Sequence, residues 1–136
     1  MNAVELDSVI HRYGKVKALD GLSLTVRQGE MFGFLGRNGA GKTTTLKMLM
    51  GLLRPDSGHI AVLGRPVKRM PTGLKQRIGY VCQEPNFYAW MTADQLGTFV
   101  GSFYKTWDAP EFQRLLRMLD VPRDRRASEM SGGTRT

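Results

Sequence analysis

The sequence is short of the residues that define several large classes of protein. Cys82 is the single cysteine among 136 residues, so no disulfide can form within the chain. The longest run without a charged side chain is ten residues, at 95–104, whereas a membrane-spanning helix needs about 20. The N-terminal residues include Glu5 and Asp7 and lack the apolar run of a secretory signal. We therefore expect a protein of the reducing cytoplasm, and neither a disulfide scaffold nor a helical membrane protein.

The composition is otherwise that of an ordinary globular domain. Hydrophobic residues make up 41% of the chain and charged residues 24%, which is unlike a disordered protein. The net charge is +8, and its densest basic cluster is Arg123, Arg125 and Arg126 beside Asp124. Such a mixed cluster without interleaved aromatics is typical of a solvated loop, so we expect no nucleic-acid partner.

The hydrophobic pattern predicts strands in the first half of the chain and helices in the second. Predicted strands lie at 22–26, 31–35, 59–63 and 78–82, and the apolar run at 31–35 is typical of a strand buried on both faces. A helix is predicted over 43–53. Two later helices have capping-box spacing, with start signals at Thr92 and Asp108.

Residues 36–43 match the phosphate-loop pattern G-x-x-x-x-G-K-[ST] between a predicted strand and a predicted helix. Glycines let backbone N–H groups approach a triphosphate closely, and the following helix adds its N-terminal dipole. Lys42 is suited to the β and γ phosphates, and the Thr43 hydroxyl to Mg²⁺. Kinases, GTPases, helicases and transport ATPases share this loop, so the loop alone leaves the class of NTPase open.

The residues around the loop narrow that choice. The stretches 12–14, 18–24 and 29–58 resemble the ATP-binding subunit of an ABC transporter, and the similarity extends from about residue 3 to the end of the chain. The stretch 103–108 is similar to bacterial exporter-type members. The resemblance implies an α/β P-loop NTPase fold of the ABC ATPase type. It would have an antiparallel β part, a partial RecA-like sheet core and a helical subdomain.

The resemblance also implies roles for individual residues. Tyr13 would stack on adenine, and Gln83 would touch Mg²⁺ or the attacking water as the glutamine of the Q-loop. Lys42 would act in catalysis as well as in binding. The expected nucleotide-binding residues are Tyr13, Asn38, Gly39, Ala40, Gly41, Lys42, Thr43 and Thr44, with Thr43 and Gln83 at the metal.

A second copy of the chain would contribute to the same site. Ser131, Gly132 and Gly133 resemble the centre of the family signature L-S-G-G-Q, which completes the ATP site of the opposite subunit. Met130 and Thr134 depart from that signature. The implied partners are ATP, a transmembrane permease subunit, and a twin or related ATP-binding subunit in a head-to-tail dimer on the inner face of the cell membrane.

The chain is predicted to be one partial ATP-binding domain. Residues 1–83 would form the β-rich and phosphate-loop core, and residues 84–130 the helical subdomain, with the signature at the end. Family members continue to a strand ending in Asp-Glu and to a switch histidine, so we expect the chain to be truncated and deficient in hydrolysis. A non-hydrolysing nucleotide-binding regulator and, less favoured, a nucleic-acid-associated ATPase are the alternatives.

One aromatic group has two interpretations at this point. Phe87, Tyr88 and Trp90 lie where related proteins receive a coupling helix of the membrane subunit. Packing inside the helical subdomain explains the same three side chains equally well.

Overall fold

The computed structural model describes residues 1–81 and 87–131. These residues fall into two compact units, Met1–Arg77 and Ile78–Thr136. Gln83, Gly132 and Gly133, three of the predicted site residues, lie outside the described residues. The predicted boundary near residue 83 lies there too, and it stays a prediction.

The first unit is built on an antiparallel sheet. Strand β1 (Asn2–Tyr13) pairs with β2 (Val16–Arg27) on one side and with β3 (Ser57–Val62) on the other, and the short β4 (Arg65–Pro66) pairs with β3. The turn between β1 and β2 begins at Gly14, whose φ of 57° is readily adopted by glycine. The predicted strands at 22–26 and 59–63 correspond to parts of β2 and β3.

One helix packs on this sheet and closes the core of the first unit. Helix α1 (Lys42–Leu49) buries Met48 completely, at 0% exposure. The other members of the buried cluster are Leu6, Val9, Leu19 and Ile60, all from the sheet. Fully burying side chains of this size stabilises a fold by roughly 1.5–3 kcal/mol each. The core therefore holds α1, through the residue before its last, against β1, β2 and β3.

Helix α1 ends four residues before the predicted end at residue 53. Gly51 has a φ of 69°, which lies in the left-handed region that terminates helices. Its N–H donates to Met48 O at 2.9 Å, and the Leu52 N–H donates to Lys47 O at 2.9 Å. This pair of bonds is a Schellman motif, and it satisfies the last carbonyls of the helix in place of another turn.

The prediction of a buried strand at 31–35 and of a strand at 78–82 is wrong for the residues that the structure describes. Residues 31–35 and 78–81 form no strand, and Met31 and Leu35 are 100% and 90% exposed. A buried parallel strand exists only when neighbouring strands hydrogen-bond to it and cover its faces. Neither run is paired with a strand in the described part of the chain, so the apolar pattern alone was not sufficient.

The second unit contains helices α3 (Ala93–Gly101) and α4 (Ala109–Met118), and α2 (Thr72–Lys75) belongs to the first unit. The capping box predicted at Thr92 is confirmed, since Thr92 N donates to Gln95 Oε1 and Gln95 N donates to Thr92 Oγ1. Asp108 caps α4 by accepting from Glu111 N at 2.8 Å. The Glu111 carboxylate binds Arg114 instead of completing a second box.

The helices of the second unit pack through a glycine. A Cβ at Gly97 on α3 would collide with the Phe112 ring of α4, so a side chain is excluded at this position. Ala93, Leu116 and Met130 are buried together beside that contact. Within residues 1–81 and 87–131, every helix is too short or too polar to cross a bilayer.

Candidate nucleotide-binding site

The loop predicted to bind phosphate precedes α1 and is anchored at its last glycine. Gly41 is the N-cap of α1 and has a φ of 85°. Its carbonyl accepts from Thr45 N at 2.8 Å and from Thr45 Oγ1 at 2.9 Å. Thr45 is 1% exposed, so this double contact is shielded from water. The buried threonine thus fixes the junction where the loop becomes helix.

Two glycines of the loop require glycine for different reasons. A Cβ on Gly41 would lie 2.5 Å from Ala18 O and 2.5 Å from Leu19 Cδ2, so the loop is in close contact with β2 at that position. Gly39 has a φ of 82° but open space around it. Gly41 therefore fixes the distance between loop and sheet, whereas Gly39 supplies only the turn.

The Lys42 side chain folds back over the loop. Its Nζ donates to Gly36 O at 2.5 Å and to Arg37 O at 2.8 Å. Ala40 N also donates to Arg37 O, at 3.1 Å, which closes the loop into a compact turn. The ammonium therefore lies within the loop, where an anionic ligand could replace the two carbonyls as its partner.

The threonines after Lys42 face different surroundings. Thr43 is exposed, which leaves its hydroxyl accessible for a metal or a phosphate, while Thr44 is 8% exposed. The hydroxyl oxygens of Thr44 and Tyr13 lie 3.5 Å apart, at the outer limit of hydrogen bonding. Tyr13, the predicted adenine contact, is 50% exposed. The structure therefore brings Tyr13 next to the first turn of α1.

The chemistry of the loop fits the triphosphate and Mg²⁺ that the sequence predicts. Mg²⁺ keeps several waters and takes its remaining ligands from phosphates and from one or two protein oxygens. The exposed Thr43 hydroxyl is one such oxygen, and it lies at the positive end of the α1 dipole. In the described ranges no group of three or more His, Cys, Asp and Glu side chains could hold a metal by itself, so the protein oxygens here suit a phosphate-bound metal.

The structure describes only some of the remaining predicted site residues. Asn38 and Ala40 are exposed on the loop. Ser131 is exposed and belongs to the second unit. Gln83, Gly132 and Gly133 are outside the described residues, so their roles stay predictions.

Two residues near the loop were missed by the sequence analysis. Thr45 clamps Gly41, and His11 packs against Tyr13 with ring centroids 4.7 Å apart. The alternation of β1 could have indicated His11, because residues two apart on a strand share a face. No pattern in the sequence indicates the contact of Thr45 with a carbonyl four residues earlier, since a threonine in a helix is more often simply solvated or packed.

A cavity of the first unit lies apart from the phosphate loop. A cavity of about 530 Å³ lies elsewhere in the first unit, and Arg54, Asp56, His59 and Lys68 are among the residues that line it. No residue of the loop 36–43 lines that cavity. We place the candidate site at the loop rather than at the cavity, because backbone N–H groups and a helix N-terminus bind phosphate on an open surface.

Comparison with known proteins finds a family model and relatives that match much of the chain. A family model described as ABC transporter matches residues 19–136. The Nod factor export ATP-binding protein I of Paraburkholderia xenovorans (strain LB400) is 40% identical over 137 residues, which cover 96% of this chain and 45% of that protein. The bacitracin transport ATP-binding protein BcrA of Bacillus licheniformis is 48% identical over 81 residues, which cover 60% of this chain and 26% of that protein.

Comparison with solved structures gives the same result for the fold. A structure of an ATP-binding subunit of an ABC transporter matches with a TM-score of 0.83 and 26% identity, over 98% of this chain and 57% of the other. This likeness confirms the fold class predicted from the sequence. The chain spans less than half of the length of the two curated relatives and just over half of the solved chain.

Proposed function

Because the chain belongs to the ABC transporter ATP-binding family, we propose that its phosphate loop binds ATP and supplies the nucleotide contacts of a transport ATPase. The observation that supports this most directly is the geometry around Gly41. A glycine-specific contact with β2, a helix that starts at the next residue, and a lysine folded over the loop form a cradle suited to a triphosphate.

Each end of ATP has its own contacts in this proposal. Lys42 and the loop 38–41 bind the β and γ phosphates, and Tyr13 stacks on the adenine. Thr44 supports both ends, since its backbone lies in the first turn of α1 and its hydroxyl lies 3.5 Å from the Tyr13 hydroxyl. Thr43 holds Mg²⁺, with Gln83 as a further ligand, and the metal would supply charge neutralisation of the phosphates.

The signature residues of this chain act at the ATP site of a second subunit in this proposal. Ser131, Gly132 and Gly133 contact the γ-phosphate held by a second, head-to-tail subunit. None of the residues proposed to contact ATP is a carboxylate that could polarise water, so residues 1–136 bind ATP better than they hydrolyse it. The similarity to a Nod factor export ATP-binding protein supports export as the direction.

The membrane partner contacts the aromatic surface formed by Phe87, Tyr88 and Trp90. These side chains are 42%, 54% and 60% exposed, which favours an interface over the packing alternative. Tyr88 also contacts Phe99 of α3, with ring centroids 5.6 Å apart. A permease bound there would keep the protein on the inner face of the cell membrane.

Equilibrium titration of the full chain with ATP tests the proposed function. We expect saturable binding that tightens when Mg²⁺ is added, because the metal screens the phosphates that the loop gathers. Binding of AMP should be much weaker, since AMP lacks the phosphates that Lys42 contacts. ATP and AMP binding equally would contradict the assignment of the loop.

A further inference from the structure

Beside the proposed site, β1 buries a histidine whose ring nitrogens make no hydrogen bond in the described part of the chain. His11 is 7% exposed, and both nitrogens are shielded from solvent. The nearest acid is Asp56, whose Oδ1 lies 3.5 Å from His11 Nδ1, which is within ion-pair range but lacks hydrogen-bond geometry. A buried polar ring without hydrogen bonds is costly, so its presence calls for a reason.

The main ring contact of His11 is with Tyr13. The two rings are perpendicular, at 89°, with centroids 4.7 Å apart, which is a favourable aromatic geometry. Both residues lie on the same face of β1, because they are two apart on a strand. Tyr13 is therefore packed on one side by a buried ring and keeps half of its surface exposed.

The position of His11 is itself fixed from two directions. Asp56 accepts from Arg12 N through Oδ2 at 2.7 Å, and Asp56 N donates to Ile10 O at 2.9 Å, so the segment before β3 is bound to β1 around His11. On the other side His11 is paired with Leu19 of β2. Leu19 is one of the two residues that a Cβ on Gly41 would strike, so the contacts continue to the phosphate loop.

We propose that His11 is a positioning residue that holds the Tyr13 ring in the orientation that stacks on the base of the nucleotide. The proposal rests on the proposed function, since it assumes that the loop binds ATP and that Tyr13 contacts adenine. It assigns His11 an effect on affinity for the base and none on affinity for the triphosphate. A residue that only stabilised the fold would affect both equally.

Two apolar substitutions at position 11 separate the effect of the ring contact with Tyr13 from the effect of filling the buried space. His11→Phe keeps an aromatic ring, and His11→Leu fills similar space without one; both remove the unsatisfied nitrogens, so both variants should fold. The full chain and each variant are titrated with ATP and with inorganic tripolyphosphate, and circular dichroism checks the fold. His59→Leu, at an exposed histidine on β3, is the matched control.

We expect His11→Leu to weaken ATP binding about fivefold, in line with the energy of one aromatic pair, and to leave tripolyphosphate binding unchanged. His11→Phe and His59→Leu should bind both ligands within about twofold of the unsubstituted chain. In a Tyr13→Leu background, His11→Leu should have no further effect on ATP.

Three results would overturn the proposal. The first is an equal loss of affinity for ATP and for tripolyphosphate in His11→Leu. The second is an unchanged affinity of His11→Leu for ATP. The third is a loss of ATP affinity in His11→Phe as large as that in His11→Leu. If the unsubstituted chain bound neither ATP nor tripolyphosphate, the proposed function would fail first. Normal binding of both ligands with a silent His11→Leu would reject the role of His11 alone.

Discussion

Individual residues of the phosphate loop differ in how strictly they are required. Gly39 and Gly41 share a left-handed backbone, but only Gly41 is in close contact with other atoms. The phosphate-loop pattern specifies Gly41, Lys42 and Thr43, whereas Gly39 stands at one of its unspecified positions. The pattern could not show why Gly41 is required, because the atoms that crowd it come from β2, more than twenty residues earlier.

Alanine at these two glycines should separate backbone strain from steric conflict. Gly39→Ala should lower the free energy of unfolding by about 1 kcal/mol, the cost of a left-handed alanine. Gly41→Ala should lower it by about 3 kcal/mol, because its Cβ would also displace Ala18 and Leu19. Urea denaturation measures both, and equal losses would show that the contact with β2 is loose.

Replacing the loop lysine should remove the strongest phosphate contact. Lys42→Ala should weaken ATP binding about 100-fold, since a charged hydrogen-bond donor to phosphate is lost. Lys47→Ala, at an exposed lysine in the last turn of the same helix, is the control for net charge and should change affinity little. Unchanged affinity of Lys42→Ala in a nucleotide titration would reject the loop as the binding site.

At the scale of elements, the helix caps and two of the strands were predicted correctly, whereas two further strands and the end of α1 were not. The caps at Thr92 and Asp108 were readable because each donor and acceptor is three residues from its partner. Strands at 31–35 and 78–82 would need neighbouring strands from distant parts of the chain to pair with. The apolar runs did not show whether such strands were present. The predicted helix continued to residue 53 because the apolar residues and the turn residues after them point there, whereas the left-handed backbone of Gly51 ends the helix earlier.

The start of α3 is held by charge as well as by its cap. Arg123 Nη2 lies 3.0 Å from Asp94 Oδ2, and Gln113 of α4 donates to Asp94 Oδ1 at 2.7 Å. The hydrogen bond from Arg123, and then that from Gln113, hold the pKa of Asp94 below its ordinary value of 3.8. This carboxylate therefore links α3 to α4 and to the segment that follows α4.

The pH dependence of stability should report this link. Because the pKa of Asp94 is lower in the folded chain, its contribution is complete above the unfolded value of 3.8 and is lost as the pH falls below it. Asp94→Asn should lower the free energy of unfolding at pH 7 by no more than about 1 kcal/mol, since both partners are partly exposed.

Measuring this loss of stability at several pH values tests whether the negative charge of Asp94 is its cause. The difference between Asp94→Asn and the unsubstituted chain should shrink in acid, as followed by thermal unfolding at several pH values. Asp124→Asn, at an exposed acid of the same unit, is the control. A difference that stayed constant from neutral to acid pH would assign the effect to packing.

At the scale of the whole molecule, the sequence predicted the fold but not the role of the aromatic surface. The family model and the solved structure support the fold of the whole chain, and the resemblance had already implied it from the order of the motifs. The aromatic surface of the second unit could not be decided from the sequence, since a hydrophobic side chain has the same pattern whether a partner or a core covers it. The exposure of these aromatic side chains could be learned only from the folded structure.

The activity of the whole chain tests the proposed division between binding and hydrolysis. Residues 1–136 should release phosphate from ATP far more slowly than the roughly 1 s⁻¹ at the low end of typical enzymes, because positioned charge around the attacking water supplies most of the rate. Phosphate release under saturating ATP measures this directly. Turnover at ordinary enzymatic rates would show that residues of this chain polarise the water themselves.

The close contact of Gly41 with β2 also determines the spacing of the proposed site. Strand β1, which ends at Tyr13, pairs with Leu19 of β2, and Gly41 of the loop contacts Ala18 and Leu19, so both ends of the proposed site are held by β2. If the proposed contacts are made, a base alone or a phosphate chain alone would reach one end of the site. A nucleotide with both groups would reach both ends, so the fold would select its ligand by length as well as by chemistry.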